Sequence, residues 1–365
     1  MSLATLTTPS AAIRPRVAIV GSGISGLAAA HRLAGAADIT LFEAGDYFGG
    51  HTHTVDITLP AKNNPNNLVT HGVDTGFLVF NERTYPQLIQ LFAELGVVTA
   101  KSDMSFSVKV PASNPASQGR QHAALEWSGS NLNSVFAQRG NLLNWRFLRM
   151  LRDILRFNQR CTALAESGAE AAMQQPLADF LKQEKFSDEF RDWYFLPMMG
   201  CIWSCPTDQM LQFPVATMIR FCHNHGLLQV ADRPQWWTVA GGARHYVDKV
   251  ILATHSDQAL AMLAEPTAAE QAVLGAIRYQ SNRAVLHTDT TVLPKRPLAW
   301  AAWNYERASD TQRESAQVCL HYLLNLLQPL PFAQPVIVSL NPVVGIDADA
   351  ILGSFDYAHP VFDLA

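Results

Sequence analysis

A doubly wound α/β fold, with a mostly parallel sheet interrupted by an inserted α+β region, is the class this sequence predicts. Three observations carry it: a glycine-rich turn between an apolar run and a helical stretch, an acid closing the next apolar run, and a second pair of glycines just beyond. Val17–Val20 is short and apolar and reads as a buried strand. It enters Gly21-Ser22-Gly23-Ile24-Ser25-Gly26, a G-x-G-x-x-G turn that opens a helix running to about Leu33. Ile39–Phe42 reads as the second strand. Glu43 stands at its end, twenty residues after Gly23.

Each residue of that unit has a physical task. Gly21 permits the tight turn, Gly23 lets backbone approach a pyrophosphate, and Gly26 lets the helix pack close to the strand. The pyrophosphate meets the free N–H groups and positive end of the helix. A carboxylate at Glu43 is placed to accept hydrogen bonds from ribose hydroxyls. Strand, glycines, helix, strand and acid in that order within one βαβ length predict a Rossmann-like dinucleotide site.

Length and composition narrow the function classes. A chain of 365 residues buries a full core and holds about two domains. A net charge of −4, without a zinc-finger or RNP pattern, argues against nucleic acid as a partner. The N-terminal segment lacks an apolar signal core, so residues 1–14 read as a disordered leader and the expected location is cytoplasmic. Five scattered cysteines, Cys161, Cys201, Cys205, Cys222 and Cys319, suit reduced thiols. Cys201 and Cys205 form a lone C-x-x-x-C, which reads as core cysteines rather than a redox or metal pair. His51 and His53 alternate as strand residues would, but no third ligand is evident, so no metal is expected.

Further along, Thr54–Thr58 is extended and Lys62–Asn67 reads as a polar surface turn. Val73–Phe80 is extended and Thr84–Leu95 helical. Phe106–Val110 and Ala123–Trp127 read as strands. Asn141–Ser167 is a long helix whose Leu143, Phe147, Met150, Leu151, Ile154 and Leu155 fall on one face. Arg146, Arg149, Arg152, Arg156 and Arg160 occupy much of the rest. Such a helix reads first as a domain helix with its arginines in water, and as the alternative it fits peripheral contact with an anionic membrane surface. Leu177–Leu196 reads as a helix ended by Pro197. Gly241-Gly242 precedes a helix start, and Val250–Ala253 reads as a buried strand. Thr267-Ala-Ala-Glu270 is a capping box for Ala268–Ile277. Arg283–Thr288 and Pro335–Asn341 read as strands, with helix or strand at Ala316–Leu327.

With those residues placed, nearly the whole chain resembles the FAD proteins of the amine oxidase and phytoene desaturase superfamily. It is most similar there to the flavoproteins related to the N-terminal region of plant cyclopropane fatty acid synthases. The resemblance rests on GSGISGL at 21–27, FGGHTHT at 48–54, VDTGFLVFNERTYP at 73–86 and IWS at 202–204. It continues in HGLL at 225–228, QWWTVAGGARHYV at 235–247, ILATHSDQAL at 251–260, AWAAWNY at 299–305 and FDYAHPVFD at 355–363. It implies an amine oxidase-like fold. Residues 15–100 and 236–280 would form the FAD-binding domain, and 101–235 and 281–365 the substrate domain.

The same resemblance implies bound FAD and oxidation of an organic substrate, an amine or a lipid-like apolar molecule. Gly21, Ser22, Gly23, Ile24, Ser25 and Gly26 would hold the pyrophosphate and Glu43 the ribose. Gly50, His51 and Thr52 would line the phosphate and ribityl side, and Thr75, Gly76 and Phe77 would pass beneath the isoalloxazine. Many relatives carry arginine where His51 stands, which removes a charge-assisted phosphate contact. Trp203, Trp236 and Trp237 are candidate pocket walls, with Trp303 and Tyr305 in family-like segments too. Lys249 and Lys295 are candidate bases without support from spacing, and no catalytic residue is assigned.

Two departures from the family imply an incomplete fold. The closing glycine-rich strand–helix element would begin where the sequence ends, at Asp363-Leu364-Ala365. Near 247–250 the helix after Gly242 runs straight into Ile251, leaving no room for the usual connection. A catalytically inactive flavoprotein-like accessory or nucleotide-binding protein is the alternative that these departures leave open.

Overall fold

The computed structural model describes residues 14–112, 123–204, 206–230, 233–247, 278–307 and 318–361, with isolated positions between 267 and 276. The chain opens with β1 (Arg16–Val20), α1 (Ile24–Leu33) and β2 (Asp38–Phe42). β1 and β2 pair in parallel from Arg16↔Asp38 to Val20↔Phe42, which is the expected βαβ unit. The ladder is less buried than its apolar run predicts: Val20 is 40% and Phe42 52% exposed. A strand is sealed only where layers cover both its faces, and among the described residues β1 has β2 as its ladder neighbour.

An antiparallel hairpin comes next, β3 (Thr54–Ala61) with β4 (Asn64–Asp74). The expected turn Lys62–Asn67 is shorter than its Asn/Pro composition suggests, because the ladder resumes at Asn64, opposite Ala61. A short β5 (Phe80–Asn81) precedes α2 (Pro86–Leu95). The helix starts two residues after the expected Thr84. Asn81 Oδ1 accepts from the N–H groups of Arg83 and Thr84 and from the Thr84 hydroxyl, each at 3.0 Å. That closes a turn, and Pro86 then takes the first helical turn, where its missing N–H costs nothing. β6 (Thr99–Ser102) and β5 flank β9 (Trp236–Val239) in a three-stranded sheet.

The larger sheet has seven strands. β7 (Phe106–Val110), β8 (Leu125–Ser128), β10 (Arg278–His287), β11 (Trp303–Glu306), β12 (Cys319–Leu323), β13 (Ile337–Leu340) and β14 (Ile351–Val361) lie in the order β14-β10-β13-β12-β11-β7-β8. All neighbours are antiparallel except β7 and β11. Thus Ala316–Leu327, left open between helix and strand, contains β12 and then one helical turn at Leu324–Leu327.

Helices pack one face of that sheet: α3 (Leu132–Val135), α4 (Trp145–Ser167), α5 (Leu177–Gln183), α6 (Asp188–Phe190), α7 (Leu196–Trp203), α8 (Thr207–Met210) and α9 (Val215–Asn224). α4 starts after Asn144, whose side chain accepts from the N–H groups of Arg146 and Phe147. Residues 139–143 form a 3₁₀ turn before it. The buried face is Phe147, Met150, Phe157, Cys161 and Leu164. Leu143 and Leu155, expected on that face, are exposed instead. Leu143 precedes the helix, and Leu155 lies outside the arc swept by 147, 150, 157, 161 and 164.

The single helix expected at Leu177–Leu196 is broken. Lys185 takes a left-handed φ of 55°, and Ser187 restarts the helix by accepting the Phe190 N–H at 3.3 Å. Pro197 does not end the helical run. A π turn at Arg191–Phe195 leads into α7, with Pro197 in its first turn. Proline deprives the carbonyl four residues back of its helical donor. That carbonyl belongs to Trp193, and it accepts from the Trp127 indole at 3.2 Å. The expected strand at Val250–Ala253 and most of the capped helix at Ala268–Ile277 lie outside the described residues.

Candidate dinucleotide site

Gly21 has φ 89°, and its N–H donates to the Phe42 carbonyl at 2.6 Å. That bond ties the glycine turn to the end of β2. Gly23 immediately precedes α1, and no side chain caps that helix. Its first-turn N–H groups therefore await an external acceptor. Ile24 and Ser25 are exposed while Ser22 and Gly26 are buried, so the open end faces outward from a sealed base.

The second glycine pair folds onto the first. The Gly49 N–H donates to the Ser22 carbonyl at 2.9 Å and to its hydroxyl at 3.0 Å. A β-carbon built on Gly50 would stand 3.5 Å from the Gly23 Cα. Gly49 and Gly50 have φ of 117° and 59°, the left-handed region that favours glycine. Glu43 braces the same turn. Its carboxylate accepts the Ser22 N–H at 2.7 Å and the Gly45 N–H at 2.8 Å. Burial alone would raise its pKa, but the hydrogen bonds from Ser22 and Gly45 hold it below the ordinary value. Each carboxylate oxygen accepts more than one hydrogen bond, so capacity toward a ribose remains.

The expected segments Gly50–Thr52 and Thr75–Phe77 meet. Phe77 N–H donates to the His51 carbonyl at 2.7 Å, and Thr75 N–H to the His53 carbonyl at 2.9 Å. Gly76 lies so close that a β-carbon there would overlap the His51 carbonyl oxygen. Thr52 is buried and its hydroxyl bonds the Tyr246 hydroxyl. Tyr246 lies in α10 (Arg244–Val247), the helix that comes after Gly241-Gly242.

One member of this assembly has no signature in the sequence. Asp74 is 1% exposed. It accepts the Ala243 N–H with both oxygens, at 2.9 and 3.0 Å, the Thr54 hydroxyl at 2.5 Å and the Gln328 amide at 2.7 Å. Burial pushes its pKa up to about 6 against those hydrogen bonds. The aspartate thus holds the Gly241-Gly242 turn against the β3–β4 hairpin. Gly72 permits that contact, since a β-carbon there would stand 2.7 Å from the Gly241 carbonyl oxygen.

Tyr357 and His359, on β14, are two more residues that the sequence does not single out. The Tyr357 hydroxyl lies 2.7 Å from Thr75 Oγ and 3.1 Å from His53 Nδ1. The His51 ring lies 5.3 Å from that of Tyr357 and 5.5 Å from that of His359. Burial lowers the His53 pKa and raises that of Tyr357, so both are neutral hydrogen-bonding groups near pH 7. The signal for them is the FDYAHP string, which carries no spacing that assigns a role.

The candidate pocket walls separate. Adjacent strand residues point to opposite faces, so Trp236 and Trp237 diverge. Trp236 joins an aromatic series with Trp203: ring centroids are 4.6 Å from Trp203 to Phe221, 3.9 Å from Phe221 to His225, and 6.3 Å from His225 to Trp236. Tyr85 extends it toward Phe77, at 6.4 Å from His225 and 6.1 Å from Phe77. Trp237 packs with the other cluster, around Phe80, Phe92 and Tyr246. Trp303 and Tyr305 belong to the main core beneath the sheet. Lys295 is exposed, its N–H bonded to Glu126 beside β8; Lys249 and Cys205 lie outside the described residues.

Glu306, Cys319 and His321 bring one ligand-type atom each within 4.8 Å of one another on the seven-stranded sheet. Protein partners engage that group. Lys109 Nζ lies 2.7 Å from Glu306 Oε1, and His321 lies 3.1 Å from Glu306 Oε2 and 2.7 Å from Ser339 Oγ. The expected His51/His53 pair is engaged by the hydroxyl and ring contacts above.

A glycine turn on an open helix end, a second glycine pair closing over it and an acid bracing both define a Rossmann-like domain. Comparison with known proteins agrees. A family profile described as an NAD(P)-binding Rossmann-like domain matches residues 19–95. Over 45 residues the chain is 56% identical to polyamine oxidase 1 of Oryza sativa subsp. japonica; the stretch spans 11% of this chain and 9% of that protein. Cyclohexylamine oxidase from Brevibacterium oxydans superposes with a TM-score of 0.56 at 15% identity, covering 94% of this chain and 84% of that one. Putrescine oxidase bound to putrescine gives 0.54 at 15%, covering 90% and 75%. A CLA-producing fatty acid isomerase from P. acnes gives 0.55 at 14%, covering 96% and 88%. The fold is therefore a Rossmann-like domain within an amine oxidase-like architecture.

Proposed function

We propose that this chain is an FAD-dependent oxidoreductase that oxidises an organic substrate, an amine or a lipid-like apolar molecule. The observation that carries the reading is the convergence of Gly49-Gly50 on the uncapped end of α1 beside Gly23. Backbone without side chains around open N–H groups fits a pyrophosphate. Gly21–Gly26 would hold it, Glu43 the ribose, and Gly50–Thr52 with Thr75–Phe77 the ribityl and ring end. Bound flavin supplies the acceptor for hydride or electrons.

The protein's own residues then have limited work. Tyr85, His225, Phe221, Trp203 and Trp236 offer an aromatic wall that excludes water and orients an apolar or cationic group. Burial lowers the His225 pKa, which keeps that wall uncharged. The amine oxidases among the matched proteins support an amine, whereas the fatty acid isomerase and the resemblance to cyclopropane synthase flavoproteins support a lipid-like chain.

The absorbance spectrum of the purified protein tests the reading. Flavin bands, with FAD released on denaturation, are the expected result. Gly23→Val should lose the bands while far-UV circular dichroism stays unchanged, because a branched side chain takes the pyrophosphate's space. A protein without flavin that takes up none on titration with FAD, or that binds NAD(H) in its place, would overturn it.

A further inference from the structure

Helix α4 already has a complete buried face, yet a second face of it carries exposed apolar residues. Trp145, Leu148 and Leu155 fall on one exposed row with Arg152 and Gln159, at steps of three and four residues. The segment leading into the helix continues the row: Leu143 is 93%, Leu132 79% and Trp145 62% exposed. So many large apolar side chains left in water along and just before one helix mark an interaction face.

Charge selects the partner. Between residues 139 and 160 the sequence has six arginines and one acid, Asp153. Buried Asp153 lies beside Arg152 and Arg156. Glu189 and Glu184 from neighbouring segments pair Arg146 and Arg160, so the basic surface rests chiefly on Arg139, Arg149 and Arg152. Arg152, within the row, is 72% exposed at its side chain. The same segment walls a cavity of about 530 Å³ whose lining includes Arg139, Arg146 and Arg296, the last two paired with Glu189 and Glu126. Leucines and a tryptophan projecting from a basic helix are the composition of an interfacial segment, whose apolar face enters the headgroup boundary while arginines meet anionic lipid.

We propose that Leu132, Leu142, Leu143, Trp145, Leu148 and Leu155, with the arginines of α4, dock this protein on an anionic lipid bilayer. The proposal is independent of the flavin reading, since it concerns α4 and the segment before it rather than the glycine turns, and needs no turnover. Flotation with phosphatidylcholine vesicles, with and without phosphatidylglycerol, tests it on the full chain. The wild type floats with the mixed vesicles and more weakly with the neutral ones. Added salt weakens the binding.

Leu143→Glu/Trp145→Glu abolishes flotation while the melting temperature and circular dichroism are kept, as expected for residues already in water. Arg149→Gln/Arg152→Gln lowers partitioning onto the mixed vesicles roughly thirtyfold and leaves the neutral ones unchanged. A wild type that floats with neither vesicle, or a folded Leu143→Glu/Trp145→Glu variant that floats as well as wild type, would overturn the proposal. So would gel filtration showing a dimer that this variant dissolves, without vesicle binding, which assigns the face to a second copy of the chain.

Discussion

Asp74 and Ala243, 169 positions apart in sequence, are joined by one backbone N–H shared between both carboxylate oxygens at 2.9 and 3.0 Å. This contact fastens the late glycine pair to the early hairpin. It has a pH signature. Burial raises the Asp74 pKa from an ordinary 3.8 to about 6. The folded state thus holds this proton more tightly than the unfolded state. Its contribution is fully present below about pH 4 and is lost as pH rises through 6. Thermal melts across that window should show the wild type losing stability relative to Asp74→Asn as pH rises. Parallel curves for the two proteins would mean that Asp74 titrates as an ordinary carboxylate.

Gly76→Ala should be among the most damaging small substitutions in the chain. Its β-carbon would overlap the His51 carbonyl oxygen, which is backbone and cannot swing aside. The cost expected is about 1–3 kcal/mol, as for overpacking of a rigid site. Urea unfolding reads it, and bound flavin should fall alongside. Wild-type stability in the variant would show that the two segments are further apart than described.

Glu43→Gln removes a charge from an acceptor of two N–H groups. Charge-assisted hydrogen bonds exceed neutral ones, so FAD affinity should drop by about 1–2 kcal/mol. Because Glu43 also holds Ser22 and Gly45, a modest stability loss should accompany it. Isothermal titration with FAD and a thermal melt together separate the two effects. Unchanged values in both would remove Glu43 from the site.

Trp127→Phe isolates a purely structural device. The Trp193 carbonyl, deprived of a helical donor by Pro197, accepts from the Trp127 indole N–H. Loss of that donor removes a buried hydrogen bond, at a cost of about 0.5–1.5 kcal/mol. Flavin content should not change, since Trp127 lies in the main core with Phe147 and Tyr194. Chemical denaturation with parallel flavin spectra decides it.

The sequence by itself determined the βαβ unit, because every part of it is local: an apolar run, a turn only glycine tolerates, a helix and an acid within one stretch of chain. Through its resemblance to flavoproteins it also pointed to Gly50–Thr52 and Thr75–Phe77 as segments that line a cofactor. Tertiary structure decided what the glycines approach: Gly50 approaches Gly23, Gly76 approaches His51 and Gly72 approaches Gly241. It decided that Trp236 and Trp237 face apart, and that Pro197 sits inside a helical run because Trp127 satisfies the carbonyl behind it. It also placed Asp74, Tyr357 and His359 at the site. Ala243 lies 169 positions from Asp74, and Thr75 and His53 lie 282 and 304 positions from Tyr357, and no local period can report a hydrogen bond closed across the whole chain.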